Sequence, residues 1–222
     1  MCGRFTLAAR PEELLGEFEG YALPEEAPHP RYNIAPTQQA LVIPNDGSGR
    51  MRWMRWGLVP SWAQDVSIGS RLINARSETA PEKPAFRHAF RTKRCLVPAD
   101  GFYEWTAPEA GRRGRQPYHL TVRGGRLFAM AGLWETWGPP AERLETFAVL
   151  TTSANELVRP IHDRMPVILP REAWARWLDP GAGREALREL LVPYPAEGMD
   201  SRPVSAAVNN VRNDAVECLR DP

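Results

Sequence analysis

The chain has 222 residues, a length that reads as one domain, and its 43% hydrophobic and 25% charged residues are ordinary globular usage, which excludes a disordered or fibrous chain. No apolar run approaches the roughly 18 residues of a membrane helix, and Arg4 and Arg10 interrupt any secretory h-region, so a cytoplasmic protein without membrane attachment is expected. The net charge is only +1, which argues against a strong non-specific nucleic-acid field, yet 26 of the 28 cationic residues are arginines. That bias fits either phosphate clamping or GC-rich coding.

In chain order, Leu14, Leu15 and Phe18 at helical spacing behind acidic residues predict a short amphipathic helix over 11–19. Four prolines between 21 and 36 predict an extended, ordered loop. Strands are expected at 40–43 and 51–56, joined by a hairpin at Asp46-Gly47. Further β-like runs cover 94–97, 101–105, 118–122, 127–134, 146–152 and 165–169, with Gly124-Gly125 a tight joint between two of them. Residues 107–117 read as a polar, mobile, Gly- and Arg-rich loop. Pro170 opens a helix over 171–178 with Trp174, Trp177 and Leu178 on one face, and a second helix spans 184–191. The fold class is therefore α+β: a single domain over residues 1–222 with a mixed, mostly antiparallel, barrel-like β core and peripheral helices.

Cys2 is the sharpest chemical feature. Methionine is trimmed when a small residue follows it, and trimming leaves a 1,2-aminothiol. An α-amine with a pKa of about 7.7 to 8.0 is partly neutral at pH 7, so it condenses with an aldehyde, and the adjacent thiol closes a thiazolidine ring. The thiol alone would also serve as an acyl nucleophile, and an incidental small residue after the initiator is the bland alternative. Glu104 lies among the aromatics of Gly101 to Trp105, where burial would raise its pKa into the range of a general acid; the alternative is an outward Glu on an edge strand. His162, beside Asp163 and Arg164, reads as a proton shuttle or as a locally bonded loop histidine. The segments 56–63 and 72–79 interleave tryptophans, prolines, Asn74 and Arg76, suited to stacking bases and holding phosphates or, equally, to sealing a barrel end. Cys2, Cys95 and Cys218 give neither a disulfide framework nor paired-cysteine spacing, and no HExxH occurs, so no metal or cofactor is expected.

Met1-Cys2-Gly3-Arg4-Phe5, Arg31 to Pro36, Trp56 to Trp62, Ile73 to Thr79, Cys95 to Trp105 and Ile161 to Pro166 together resemble the SOS-response-associated peptidase family of abasic-site processing proteins, in the same order and at similar spacing. The resemblance implies a barrel-containing α+β fold that acts as a monomer on single-stranded DNA containing abasic sites. It implies a covalent thiazolidine with the ring-opened sugar, and it brings a peptidase label and possible lyase chemistry. On the matching positions, the resemblance implies that Cys2 is the crosslinking nucleophile, that Asn74 orients its amine, and that Glu104 and His162 transfer protons. It likewise implies that Arg4, Arg76 and Arg164 contact phosphates and that Asn33, Pro36 and Trp62 line the groove and wedge the strand. Ala63 stands where family members often carry a second bulky residue. Two rival readings are an N-terminal-nucleophile amidotransferase, whose further glutamine-site signatures are missing, and a non-covalent single-strand binder with an inert Cys2.

Overall fold

Branched and aromatic residues with few interior breaks give short strands, and their pairing order makes one closed and one open sheet. The computed structural model describes residues 2–107 and 114–222. Its elements are β1 (Phe5–Leu7), α1 (Pro11–Glu17), β2 (Arg31–Ile34), β3 (Gln39–Pro44), β4 (Arg52–Trp56), β5 (Asn74–Arg76), α2 (Arg87–Thr92), β6 (Arg94–Ala99), β7 (Gly101–Trp105), β8 (Pro117–Val122), β9 (Phe128–Trp137), β10 (Leu144–Ser153), β11 (Arg164–Pro166), β12 (Ile168–Leu169), α3 (Trp174–Leu178), α4 (Arg184–Arg188) and β13 (Met199–Pro203). The barrel closes through five strands. β4, β3, β6, β9 and β10 pair antiparallel in turn, and β10 returns parallel to β4. β5 and β11 add to the far end of β10, and β12 adds to β9. The second sheet is open and antiparallel in the order β13-β8-β7-β1-β2.

Both faces of the barrel sheet are packed with apolar side chains: Leu41, Ile43, Met54, Leu96, Leu133 and Phe147 are all fully buried in one cluster. Each such side chain contributes about 1.5 to 3 kcal/mol of transfer free energy. Trp56 stacks on Phe147 with centroids 6.2 Å apart and meets Phe5 of β1 edge-on at 5.2 Å, so one aromatic row carries the open sheet onto the barrel. Arg94 is buried without a carboxylate. Its Nε donates to Trp177 O at 2.7 Å, Nη1 to Phe90 O at 3.0 Å and Arg91 O at 2.6 Å, and Nη2 to Asp179 O at 2.5 Å. These are carbonyls at the C-terminal ends of α2 and α3, the groups a helix leaves unsatisfied.

The two sheets join at a corner one residue long, Asp100, between β6 and β7. Its carboxylate accepts Thr6 Oγ1 at 2.5 Å and the amides of Ala8 at 2.5 Å and Ala9 at 3.1 Å, which ties β1 to the corner. Gly101 follows because a Cβ there would overlap the His119 imidazole and meet Thr6 Oγ1 at 3.0 Å. Gly57 has a comparable reason: φ is +124° and a Cβ would lie 2.6 Å from Gly69 O, so the backbones of these two residues pack directly together.

Several expectations need correction. The segment 21–36 is not loop throughout, because the proline-free stretch Arg31–Ile34 pairs with β1 as an edge strand. Gly124 and Gly125 do make a turn with positive φ, but β8 and β9, which it joins, belong to different sheets, so it is a crossing and not a hairpin. The run 165–169 splits at Val167 into β11 on β10 and β12 on β9, with Val167 N donating to Leu150 O and Val167 O accepting from Ala131 N, both at 2.8 Å. The second late helix ends at Arg188. Residues 108–113 of the expected polar loop lie outside the described residues.

Candidate active site

Glu104 sits on β7, which pairs on both sides with β1 and β8, so it is an interior-strand residue and the edge-strand reading does not hold. It is 2% exposed. Burial, with a further push from Asp163, raises its carboxyl from the ordinary 4.5 to about 7. A group at that value both gives and takes protons at neutral pH.

Cys2, just ahead of β1, is fully buried, and its Sγ faces Arg4 O at 4.0 Å. Burial first, and the Glu104 charge second, push its thiol far above the usual cysteine range. The sulfur is therefore a thiol at neutral pH and needs a base to become a nucleophile. Asn74 reaches it from β5, which the parallel register Val149↔Asn74 holds against β10. Its Nδ2 donates to Cys2 O at 2.7 Å. The contact falls on the carbonyl of Cys2 and not on its nitrogen. Asn74 Oδ1 is buried and accepts no hydrogen bond among the described residues, a costly state of about 1 to 3 kcal/mol that leaves one acceptor for a neighbouring donor.

His162 lies in the turn before β11. Its Nδ1 accepts the Arg164 amide at 2.9 Å and stands 2.9 Å from Asp163 Oδ1. Burial, the leading cause, holds the ring below its ordinary pKa of 6.5, so at neutral pH it is uncharged, with Nδ1 as acceptor and the proton on Nε2. The histidine is locally bonded, and it also lines a cleft of ≈440 Å³ with Arg4, Glu104, Trp105, Arg115 and Asn209.

The expected DNA-contacting residues divide. Arg4 lines this cleft, its guanidinium 5.8 Å from the Trp105 ring, with Nη1 donating to Asn33 Oδ1 at 2.8 Å and Val208 O at 2.6 Å. Asn33 has no accessible surface, so its place is behind Arg4 and not in a groove. Trp62, 60% exposed, shares a second cleft of ≈550 Å³ with Asn74, Arg76, Lys83, Leu72 and Phe86. Asn74 thus stands at this second cleft while holding Cys2, whose charge neighbour Glu104 stands at the first. Arg164 is held by Glu78 in a two-pronged pair, at 2.6 and 2.9 Å, and by Thr151 O at 2.7 Å. Pro36, partly exposed after β2, lines neither cleft. Arg115, Trp105 and Asn209 were not singled out from the sequence. Arg115 had only the Arg-rich character of its loop as a signal, and Asn209, more than 100 residues from Trp105, had none. Among the described residues no three of His, Cys, Asp and Glu gather in a metal-holding group.

The sequence profile described as SOS response associated peptidase (SRAP) matches residues 1–211. This chain belongs to the SRAP family. Among its SRAP relatives, abasic site processing protein YoqW of Bacillus subtilis (strain 168) is 44% identical over 223 residues, covering 99% of each chain. Abasic site processing protein HMCES of Xenopus tropicalis is 35% identical over 225 residues, which cover 86% of this chain and 65% of that one. The SRAP fold is also seen in a crystal structure of a protein from Bacteroides thetaiotaomicron, with a TM-score of 0.89 and 27% identity over the full length of both chains.

Proposed function

We propose that this protein binds single-stranded DNA at abasic sites and, once Met1 is removed, captures the ring-opened sugar on Cys2 as a thiazolidine. The observation that carries the reading is the placement of Cys2 between Asn74, which holds its carbonyl, and Glu104, whose carboxyl titrates near neutrality beside a cleft that also holds His162 and Arg4. The names of the SRAP relatives support it.

The chemistry follows from the groups present. An abasic deoxyribose is a cyclic hemiacetal, and opening it moves a proton from its C1 hydroxyl to its ring oxygen, a transfer within the reach of Glu104 and His162 acting as acid and base. The freed α-amine of Cys2 attacks the aldehyde, and one water leaves as the imine forms. The sulfur then adds to the imine carbon while its proton passes, through the Glu104 carboxylate, to the nitrogen. The unpartnered Asn74 Oδ1 gives the amine an acceptor that fixes its lone pair toward the aldehyde. Recognition is independent of sequence because the damaged position has no base, which leaves phosphates for the arginines and neighbouring bases for Trp62.

The test is to mix Met1-trimmed protein with a single-stranded oligonucleotide carrying one abasic site. A denaturation-resistant adduct is expected, at the summed mass less one water, and none with a tetrahydrofuran analogue that cannot open to an aldehyde. Cys2→Ser should lose the durable adduct, since a hydroxyl closes a less stable ring. A chain with a blocked N-terminus should form none. An adduct of normal yield from the blocked chain overturns attack by the amine.

A further inference from the structure

The chain beyond residue 204 straps the free edge of the open sheet, and its fastening is Asp214. As an edge strand, β2 carries backbone donors with no partner strand to take them. Asp214 Oδ1 accepts the amides of Tyr32 at 2.6 Å and Asn33 at 2.8 Å, and its Oδ2 accepts Arg31 Nε. Asn33 returns the grip: its Nδ2 donates to the carbonyls of Val208, Asn210 and Asn213 at 3.1, 3.1 and 2.7 Å. The strap has a small core of its own, in which Tyr103 packs with Val204, Val208 and Cys218 while its hydroxyl donates to Tyr32 O at 2.7 Å.

This fastening reaches the cleft. Arg4 Nη1 donates to Asn33 Oδ1 and to Val208 O, one acceptor on the edge strand and one on the strap. Asn209 of the strap accepts Trp105 Nε1 at 2.7 Å, and Trp105 faces the Arg4 guanidinium. Arg4, Trp105 and Asn209 are half of the cleft's lining. We propose that Asp214 is a positioning residue: by clasping the strap to β2 it sets the Arg4 guanidinium at the cleft, and through Arg4 the grip on a DNA phosphate. The inference rests on the reading of that cleft as a DNA site. Asp214 lies beyond the residues matched by the family profile, which end at 211.

Sign separates positioning from simple charge. Removing a carboxylate near a polyanion strengthens binding, whereas releasing Arg4 weakens it. Asp214→Asn, which keeps the side chain's shape, is expected to lower affinity for an undamaged single-stranded oligonucleotide about tenfold, the worth of one charge-assisted hydrogen bond. It should also flatten the slope of log K against log salt by about 0.7, the share of one phosphate. Arg4→Ala should do the same, and adding Asp214→Asn to Arg4→Ala should change nothing more. Amide exchange should quicken at Tyr32 and Asn33 while β9 and β10 stay protected, which establishes that the barrel is intact. Affinity equal to or above the parent's in Asp214→Asn, beside a weakened Arg4→Ala, overturns the inference. So does an equal loss from Asp214→Asn in both backgrounds, the mark of a structural role alone. Parental affinity in Arg4→Ala removes Arg4 as a phosphate ligand and this inference with it, while the Cys2 adduct assay reads the crosslinking chemistry separately.

Discussion

In the barrel the buried ionic groups are saturated with partners: Arg94 spends its donors on four backbone carbonyls, and Glu135 is paired with Lys93. In the open sheet, two buried titratable groups are held toward their neutral forms, Glu104 raised to about 7 and His119 lowered to about 4. The difference separates two uses of a buried polar group. A saturated group fixes the packing of helices on strands, whereas a desolvated carboxyl brought near neutrality, as Glu104 is, can exchange a proton at neutral pH and is available for chemistry. The barrel strands reach ten residues, while β1 and β5, which place Cys2 and Asn74, have only three each.

The sharpest way to test this division is Glu104→Gln, which keeps the side chain's shape and cannot exchange the proton. Adduct formation is expected to slow by about 10² to 10⁴. Stability should move the other way. Because the folded pKa lies above the unfolded one, the folded state binds the proton more tightly, and stability falls as pH rises from about 4.5 to about 7. A difference of that size is worth roughly 3 kcal/mol at about 1.4 kcal/mol for each pH unit. Glu104→Gln should therefore flatten the fall, so that above pH 7 the variant melts at or above the parent temperature. A variant equally slow but also less stable at pH 8 would make Glu104 a structural residue.

Arg94→Met makes the opposite break. It leaves four carbonyls without their donors, at an expected loss of about 2 to 4 kcal/mol in urea unfolding. Adduct formation by the folded protein should be unchanged, because Arg94 lines neither cleft. Gly101→Ala lies on the boundary between the two regions. The added methyl must displace His119 or the β6–β7 corner, with an expected loss of about 1 to 3 kcal/mol and a slower adduct because Glu104 shares β7. Loss of stability with an unchanged rate would show that the corner does not position the carboxyl.

Barrel strands were legible because each falls in a run that is mostly apolar and carries branched or aromatic residues, and their boundaries fall within a few residues of the observed ones. β1, β5, β13 and the short α2 were not, since three- to six-residue elements with mixed polarity give no period, and tertiary pairing alone defines them. In the site, the motif around Glu104 was legible as a carboxylate among aromatics, and its interior position decided what the pattern had left open. Asn33 shows the limit. Its motif was expected in a groove, but four hydrogen bonds to Arg4 and the strap bury it, and the strap's partners lie about 175 residues away in sequence. Arg164 was likewise read without its partner, because nothing in the sequence pairs it with Glu78.

That pair gives the smallest of the expected effects. The two-pronged contact with Glu78 occupies the face of Arg164 that a phosphate would use, and the third contact, to Thr151 O, keeps the guanidinium in place when the carboxylate leaves. Arg164, the leading cause, holds the Glu78 carboxyl below its ordinary range, so the pair persists until the solution is more acidic than that range. Glu78 is about half exposed, and ion pairs of that kind are worth about 0 to 1 kcal/mol, so a DNA phosphate with equivalent bidentate geometry can displace it at that cost. Glu78→Gln removes the competitor and should tighten single-stranded DNA binding by up to about fivefold. Arg164→Ala in the Glu78→Gln background should cancel the gain and flatten the salt slope by about 0.7. If Glu78→Gln leaves affinity unchanged or weaker, Arg164 belongs to the β10–β11 scaffold, and the DNA contact on that side falls to Arg76 alone.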